Sequence, residues 1–378
     1  MSNDYTEEMV GIRRHLHKRP EEGWTEFETT WFIVQRLRKL GLPVTIGKAN
    51  ICESEVLGRD PLLVSDAMKR AAAHGVPEEF LKATEGYTGA VARFDTGRPG
   101  PTTAFRSDID CVLVRETGDP KHLPNQLGFA SERPGFMHAC GHDGHTAVGL
   151  GVAHWLVDNK DRLCGKFILI FQPAEEGVRG ARAMAASGMV DHVDYFLGGH
   201  VGGAAKLGEI AVMDGGVLAS TKFDITIEGT PAHAGNSPEL GHSALMAACA
   251  ASLMLQGIPR NSHGETRVSV GKLEAGEGRN VIPAHAKLQM EVRGETMAVN
   301  QFMADYVYDI FAGVDKAYRV KSTVVKAGES VTLTPCPEIY PIIEKVMNRI
   351  PGTKLLPREH SPAGSEDCAL FIKRVIEH

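Results

Sequence analysis

The amino-acid sequence predicts an α/β fold, a mainly parallel sheet with an inserted βαββαβ layer of ferredoxin-like type, and three observations lead there. Three apolar runs, residues 102–106, 166–171 and 193–197, read as buried strands, with helical spacing between them at 142–157 and 180–187. Each run empties into residues with ligand chemistry: Asp108 and Asp110 after the first, Glu175 and Glu176 after the second, His200 after the third. Open α/β sheets gather their sites at the carboxyl ends of strands, so these residues are expected at one edge. The third observation is a change of period after Gly215 and Gly216, from continuous apolar runs to strict alternation.

Taken in order, residues 5–18 have helical spacing, and a capping-box pattern at Thr25 and Glu28 opens a second helix that stops at Gly41 and Pro43. His15 and His17 lie two apart and so on different helical faces, which suits structural or supporting roles. Residues 50–86 carry two short helical patterns, 65–74 and 77–83, and little strong chemistry. After residue 216 the run 221–227 alternates, 243–256 reads as a buried helix, 267–273 as a strand, 286–292 as another, 300–317 as a helix and 319–325 as a last strand. That order is a split βαβ layer with an antiparallel sheet. Residues 216–328 are therefore expected to form a second domain inserted into a first made of 1–215 and 329–378, where the helix 338–348 and the segment Ala363 to Asp367 resume the first fold. An antiparallel sheet with an open edge suits association with a second copy or a similar chain.

The 378 residues, 43% hydrophobic and 23% charged, suffice for two cores. A net charge of -6 gives no reason to expect nucleic acid or an anionic membrane as partner. No apolar run approaches the roughly 20 residues of a membrane span, and the polar start is no signal peptide. Seven cysteines, an odd number scattered along the chain, make no disulfide framework, so a reducing cytoplasm is expected.

The densest chemistry lies in residues 137–146, where His138, Cys140, His142, Asp143 and His145 crowd the start of a helix. Thiolate and imidazole are the side chains that bind zinc-like ions most readily, and an aspartate orients a ligand or binds a second ion. In the adjacent pair Glu175 and Glu176, one carboxylate can bind metal while its neighbour takes a proton from water. The thiolate of Cys140 is suited to bridging two ions. Metal-assisted hydrolysis follows.

These motifs, with Pro173 to Gly177, Gly199-His200, Thr230 to Gly235 and Gly278 to Pro283, resemble the dimetal amidohydrolases that include aminoacylases, hippurate hydrolases and auxin-conjugate hydrolases. The resemblance covers nearly the whole chain. It implies metal ligands at Cys140, His142, Glu176 and His200, Glu175 as general base and Asp110 orienting a ligand, with two divalent ions, manganese or zinc, in the full-length enzyme. It leaves Asp108 ambiguous and His138 and His145 in supporting positions. It implies that His233 reaches a partner subunit's site to stabilise the tetrahedral oxyanion, and that Asn280 and Arg293 hold the substrate, Arg293 by its bidentate fork. Residues 50–86, the run 94–101 and the closing Pro362 to Asp367 narrow the likeness to members acting on p-aminobenzoyl-glutamate. Hippurate-like or other N-acyl amino acids, or a non-catalytic partner chain, are the alternatives. Subunits are expected to pair as a homodimer or with a similar chain. The resemblance also implies a late histidine ligand followed by a strand and a helix, whereas eleven residues follow Asp367 and His378 resembles a surface residue, so a C-terminal truncation is expected.

Overall fold

The chain divides into two compact units, residues 5–212 with 336–357 and 367–378, and residues 213–335 with 364–366, in a computed structural model that describes residues 5–203, 205–213, 215–357 and 364–378. Pro362 and Ala363 of the closing segment lie outside the described residues.

The first unit begins with α1 (Thr6–Lys18) and α2 (Phe27–Lys39). The capping box at the head of α2 does not form: the Thr25 hydroxyl donates to the carbonyl of Glu22, and the Glu21 carboxylate accepts the first-turn amide of Thr29 at 2.8 Å instead. Next come β1 (Val44–Ile46), α3 (Pro61–Ala73), α4 (Glu78–Ala83), β2 (Ala90–Asp95), β3 (Thr102–Asp108) and α5 (Leu123–Gln126). They are followed by α6 (His142–Asp158), β4 (Lys166–Gln172), α7 (Gly180–Ala185), β5 (Tyr195–Gly198) and β6 (Glu209–Ile210). Asp60 caps α3 through the amide of Leu62, ahead of a proline at the first helical position.

The main sheet has the order β1-β2-β4-β3-β5. Its strands β4, β3 and β5 are parallel, as the three apolar runs imply, but β2 runs antiparallel to both its neighbours, β1 and β4, so the sheet is mixed rather than mainly parallel. The reason lies in the connections. Only residues 96–101 join β2 to β3, and a parallel crossover needs about a dozen residues or more. The parallel register pairs Asp108 with Gln172 and Arg106 with Gly198, which brings the carboxyl ends of β3, β4 and β5 to one edge. Helix α6 starts beside that edge and packs on β3, β4, α1 and α2. The core between them includes Trp24, Phe27, Ile33, Leu150, Leu156, Leu169 and Phe171.

The second unit runs β7 (Ala219–Glu228), α8 (Ala244–Gln256), β8 (Thr266–Ala275), β9 (His285–Gly294), α9 (Met297–Tyr318) and β10 (Lys321–Ser330). All its strand pairs are antiparallel, in the order β10-β7-β9-β8. Inward residues Phe223, Ile225 and Ile227 alternate with outward ones along β7 and pack with α8 and α9 in a separate core. The chain then adds α10 (Tyr340–Met347), β11 (Lys354–Leu355), which pairs in parallel with β6, and α11 (Ala369–Glu377) to the first unit. All seven cysteines are free thiols. Among the described residues no helix is long and apolar enough to cross a membrane.

Candidate functional site

The carboxyl edge of the parallel strands and the start of α6 bring Asp108, Asp110, Cys140, His142, Glu175, Glu176 and His200 together in the first unit. The turn into α6 is set by Gly141, at φ 94° in the left-handed region, where a Cβ would also come 2.5 Å from Val201 Cγ2. With Gly141 fixed, His142 points inward from the first turn and is fully buried.

Asp110 organises the centre. Its Oδ1 lies 3.2 Å from His142 Nδ1 and accepts the amide of Glu175 at 3.1 Å, and its Oδ2 accepts the amide of Glu176 at 2.9 Å. The Nδ1–H of His142 therefore donates to Asp110, which leaves the Nε2 lone pair facing the site. That Nε2 lies 3.9 Å from Glu176 Oε1 and 3.9 Å from Glu175 Oε2. Both His142 Nε2 and Glu176 Oε1 are buried without a hydrogen-bond partner. Two buried acceptors facing each other require a proton or a cation. A zinc-like ion, with bonds of about 2.0–2.2 Å to each, matches the span. His200 donates Nδ1–H to the carbonyl of Val201 at 2.7 Å, so its Nε2 turns to Cys140 Sγ at 3.3 Å. Cys140, His142 and His200 thus converge as one donor group, and His142, Glu175 and Glu176 as a second that shares His142.

The electrostatics agree. The facing His142 and His200 rings bring the Cys140 thiol down to about 6, in favour of thiolate. The hydrogen bond to Cys140 raises His200 to about 9, and burial followed by the Asp110 charge pushes Glu176 up to about 8. These groups take up protons to balance charge that a divalent ion would balance, and ion binding would release them. The donor set fits a metal centre.

Beneath the centre lies a buried polar lattice. Asp108 Oδ1 lies 2.5 Å from His145 Nδ1, and His145 Nε2 accepts the amide of Val201 at 2.8 Å, which fixes the neutral tautomer and anchors the segment that carries His200. Asp108 Oδ2 accepts from Arg106 at 2.7 Å, and burial, which opposes the charge of Asp108, is outweighed by the Arg106 guanidinium together with His142 and His145. Asp108 is thus a support for His145. His138 is buried, neither ring nitrogen has a hydrogen-bond partner, and burial lowers it to about 4.

His17 is buried between Asp143 and Glu116, whereas His15 faces another way and stacks on Phe32. In the second unit, His233 and Asn280 are exposed on adjacent segments, joined by the amide of Ala234 donating to the carbonyl of Asn280 at 3.0 Å. His233 Nδ1 accepts the amides of Gly235 and Asn236. Arg293 is not brought to them. It lies eight positions along β9 from His285, about 27 Å at the usual rise, and its guanidinium pairs with Glu291. Sequence reading missed Glu26, whose carboxylate accepts the amide of Ala174, and the lattice of Arg106, Gln172 and Asp367. Glu26 stands close to Glu21, Glu22 and Glu28, so no local signal in the sequence set it apart.

Comparison with known proteins agrees with this geometry. The chain is 45% identical over 372 residues to a p-aminobenzoyl-glutamate hydrolase subunit homolog from Haemophilus influenzae, covering 98% of this chain and 88% of that one. It is 43% identical over 374 residues to the indole-3-acetyl-aspartic acid hydrolase of Enterobacter agglomerans, covering 98% and 86%. The crystal structure of an aminobenzoyl-glutamate utilization protein from Klebsiella pneumoniae superposes with a TM-score of 0.85 at 39% identity, covering 99% of this chain and 88% of that one. A dinuclear metal-binding peptidase of the M20 family from Bacillus subtilis superposes at 0.63 with 25% identity, covering 98% and 86%. The model of peptidase family M20/M25/M40 matches residues 104–377, a span that takes in the metal-ligand motif, the glutamate pair and the whole second unit. The chain belongs to peptidase family M20/M25/M40 and is a hydrolase of that family.

Proposed function

We propose that this chain hydrolyses the amide bond of an N-aroyl or N-acyl amino acid, with p-aminobenzoyl-glutamate the favoured substrate and p-aminobenzoate and glutamate the products. The observation that carries the reading is the pair of orphaned acceptors, His142 Nε2 and Glu176 Oε1, beside Glu175. In this reading Cys140, His142, Glu176 and His200 hold two divalent ions, manganese or zinc, which when bound polarise the amide carbonyl and lower the pKa of water. Asp110 keeps the Nδ1 proton on His142. Glu175 takes the proton of the attacking water and returns it to the leaving amine nitrogen. His233 and Asn280 serve the site of a second copy, or of a similar chain, where His233 stabilises the tetrahedral oxygen, and Arg293 receives the substrate carboxylate. Pairing through the second unit is supported by the open edge of β8 and by Met246, Leu253 and Met254, apolar side chains of α8 exposed at 51%, 76% and 47%.

A second substrate is favoured by the Enterobacter relative, which is named for indole-3-acetyl-aspartic acid. Both candidates join an aromatic acyl group to an acidic amino acid. The test is a hydrolysis screen of the purified protein, with manganese or zinc added, on p-aminobenzoyl-glutamate, indole-3-acetyl-aspartate, hippurate and the α-methyl ester of the best of them. The expected result is metal-dependent release of the acidic amino acid, with the ester at least about tenfold slower, since a charged hydrogen-bond pair contributes roughly 1.5–3 kcal/mol. Hydrolysis of none of these amides by the metal-loaded protein would overturn the reading, and equal rates on acid and ester would remove the carboxylate contact.

A further inference from the structure

The turn that carries Glu175 and Glu176 is bent against the preference of its own residues. Ala174 sits at φ 53° and Val178 at φ 54°, both in the left-handed region that residues with a Cβ avoid. A turn of that kind persists only where its surroundings hold it, and such turns cluster at functional sites. Three consecutive amides show what holds this one. Those of Glu175 and Glu176 donate to Asp110, and that of Ala174 donates to Glu26 Oε1 at 2.8 Å. Glu26 is fully buried, and a hydrogen bond of 2.6 Å joins its other oxygen to the Thr88 hydroxyl. Gly23, three residues earlier, lies so close beneath the turn that a Cβ there would come 2.9 Å from both Ala174 Cα and Cβ. Glu26 thus ties the lead-in to α2, the residue pair before β2 and the turn after β4 at one point.

We propose that Glu26 is a positioning residue for the general base: by holding the Ala174 amide it fixes the left-handed turn that aims Glu175. The inference rests on the assignment of Glu175 as the base. Burial, with the Asp110 charge adding to it, pushes Glu26 up to about 8, and its two oxygens accept from the Ala174 amide and the Thr88 hydroxyl. Glutamine has the same shape, and its amide oxygen keeps the bond from Ala174 while the Thr88 hydroxyl can rotate to accept from its NH2. Alanine has neither.

The experiment measures kcat, KM and metal content per protomer for the parent, E26A, E26Q, E26D and E175Q, on whichever of p-aminobenzoyl-glutamate, indole-3-acetyl-aspartate and hippurate is turned over fastest. E26A is expected to lower kcat about thirtyfold or more, with KM within about threefold and metal content unchanged, because a misplacement of the order of 1 Å costs up to about a hundredfold. E26Q is expected to restore kcat to within about threefold of the parent. A purely structural loss would lower the amount of folded, metal-loaded enzyme instead, and would not split kcat from KM. E26D keeps the carboxyl chemistry but withdraws it by one carbon–carbon bond, so it is expected to be about tenfold slow, and it decides the matter if E26A does not fold. An E26A or E26D variant at the parent kcat, or E26Q as slow as E26A, overturns the inference. E175Q at the parent rate would instead strike the base assignment, whereas an inactive E175Q beside a fully active E26A strikes Glu26 alone.

Discussion

His17 is held between two carboxylates, with Nδ1 2.7 Å from Asp143 Oδ2 and Nε2 3.1 Å from Glu116 Oε1. Both nitrogens can donate only if the ring is an imidazolium. Burial opposes that charge, but the hydrogen bonds to Asp143 and Glu116 outweigh it and raise His17 above its usual value. A raised histidine contributes stability that is complete below about 6.5 and fades as pH rises through its folded value. For Asp143 and Glu116 burial raises the pKa, but their hydrogen bonds lower it overall, so their contribution is present above about 4 and fades as pH falls. Replacing His17 with glutamine should therefore destabilise the protein by about 3 kcal/mol at pH 6, as expected for breaking a buried pair, and by clearly less at pH 9. Urea unfolding at the two pH values checks this, and equal losses at both would show a neutral ring. At this scale the donor residues were legible from sequence because few side chains bind metal, and a cysteine with histidines in ten residues narrows the chemistry. Glu26 and Arg106 were not legible, since Ala174 is 148 residues from Glu26 and Asp367 is 261 from Arg106.

Asp367 shows what such distant pairing does for whole elements. It is fully buried one step before the N-cap of α11, and it accepts from Gln172 at the end of β4, from Arg106 of β3 and from the amide of Ala181 in α7. Of the segment Gly364 to Asp367, which reads in sequence as part of the catalytic fold, residues 364–366 group with the second unit, and Asp367 joins the first as an anchor of α11 to the sheet. Asp367→Asn would set an amide NH2 against two of these donors and weaken the pairing of the buried Arg106. A loss of about 3 kcal/mol is expected, read as a lowered thermal midpoint, and an unchanged midpoint would contradict the anchor. The elements with long apolar or alternating runs, β3, β4, β7 and β9, fell where the pattern put them. Strands β1 and β2 did not. The first has three residues, and the second, Ala-Val-Ala-Arg-Phe-Asp, is too short and too mixed to stand out until β4 pairs with it.

For the molecule as a whole, two separate cores serve two tasks: the first unit gathers the metal donors, and the second presents His233 and Asn280 on exposed segments and Arg293 on β9. On the reading proposed above, those residues serve a site completed by another chain, and mixing of variants tests that reading directly. His233→Ala and Glu175→Gln should each be nearly inactive alone, the first for want of the group that stabilises the tetrahedral oxygen, the second for want of the base. In a mixed dimer one site combines Glu175 from one chain with His233 from the other, and the second site lacks both. Random exchange of equal amounts of a two-fold dimer makes half of the dimers mixed, so about a quarter of the parent rate should return. Sedimentation of the parent first establishes that the chain pairs with itself, and mass analysis of differently tagged variants establishes that subunits exchange. Activity that stays at the level of the separate variants after proven exchange would place His233 outside the partner's site.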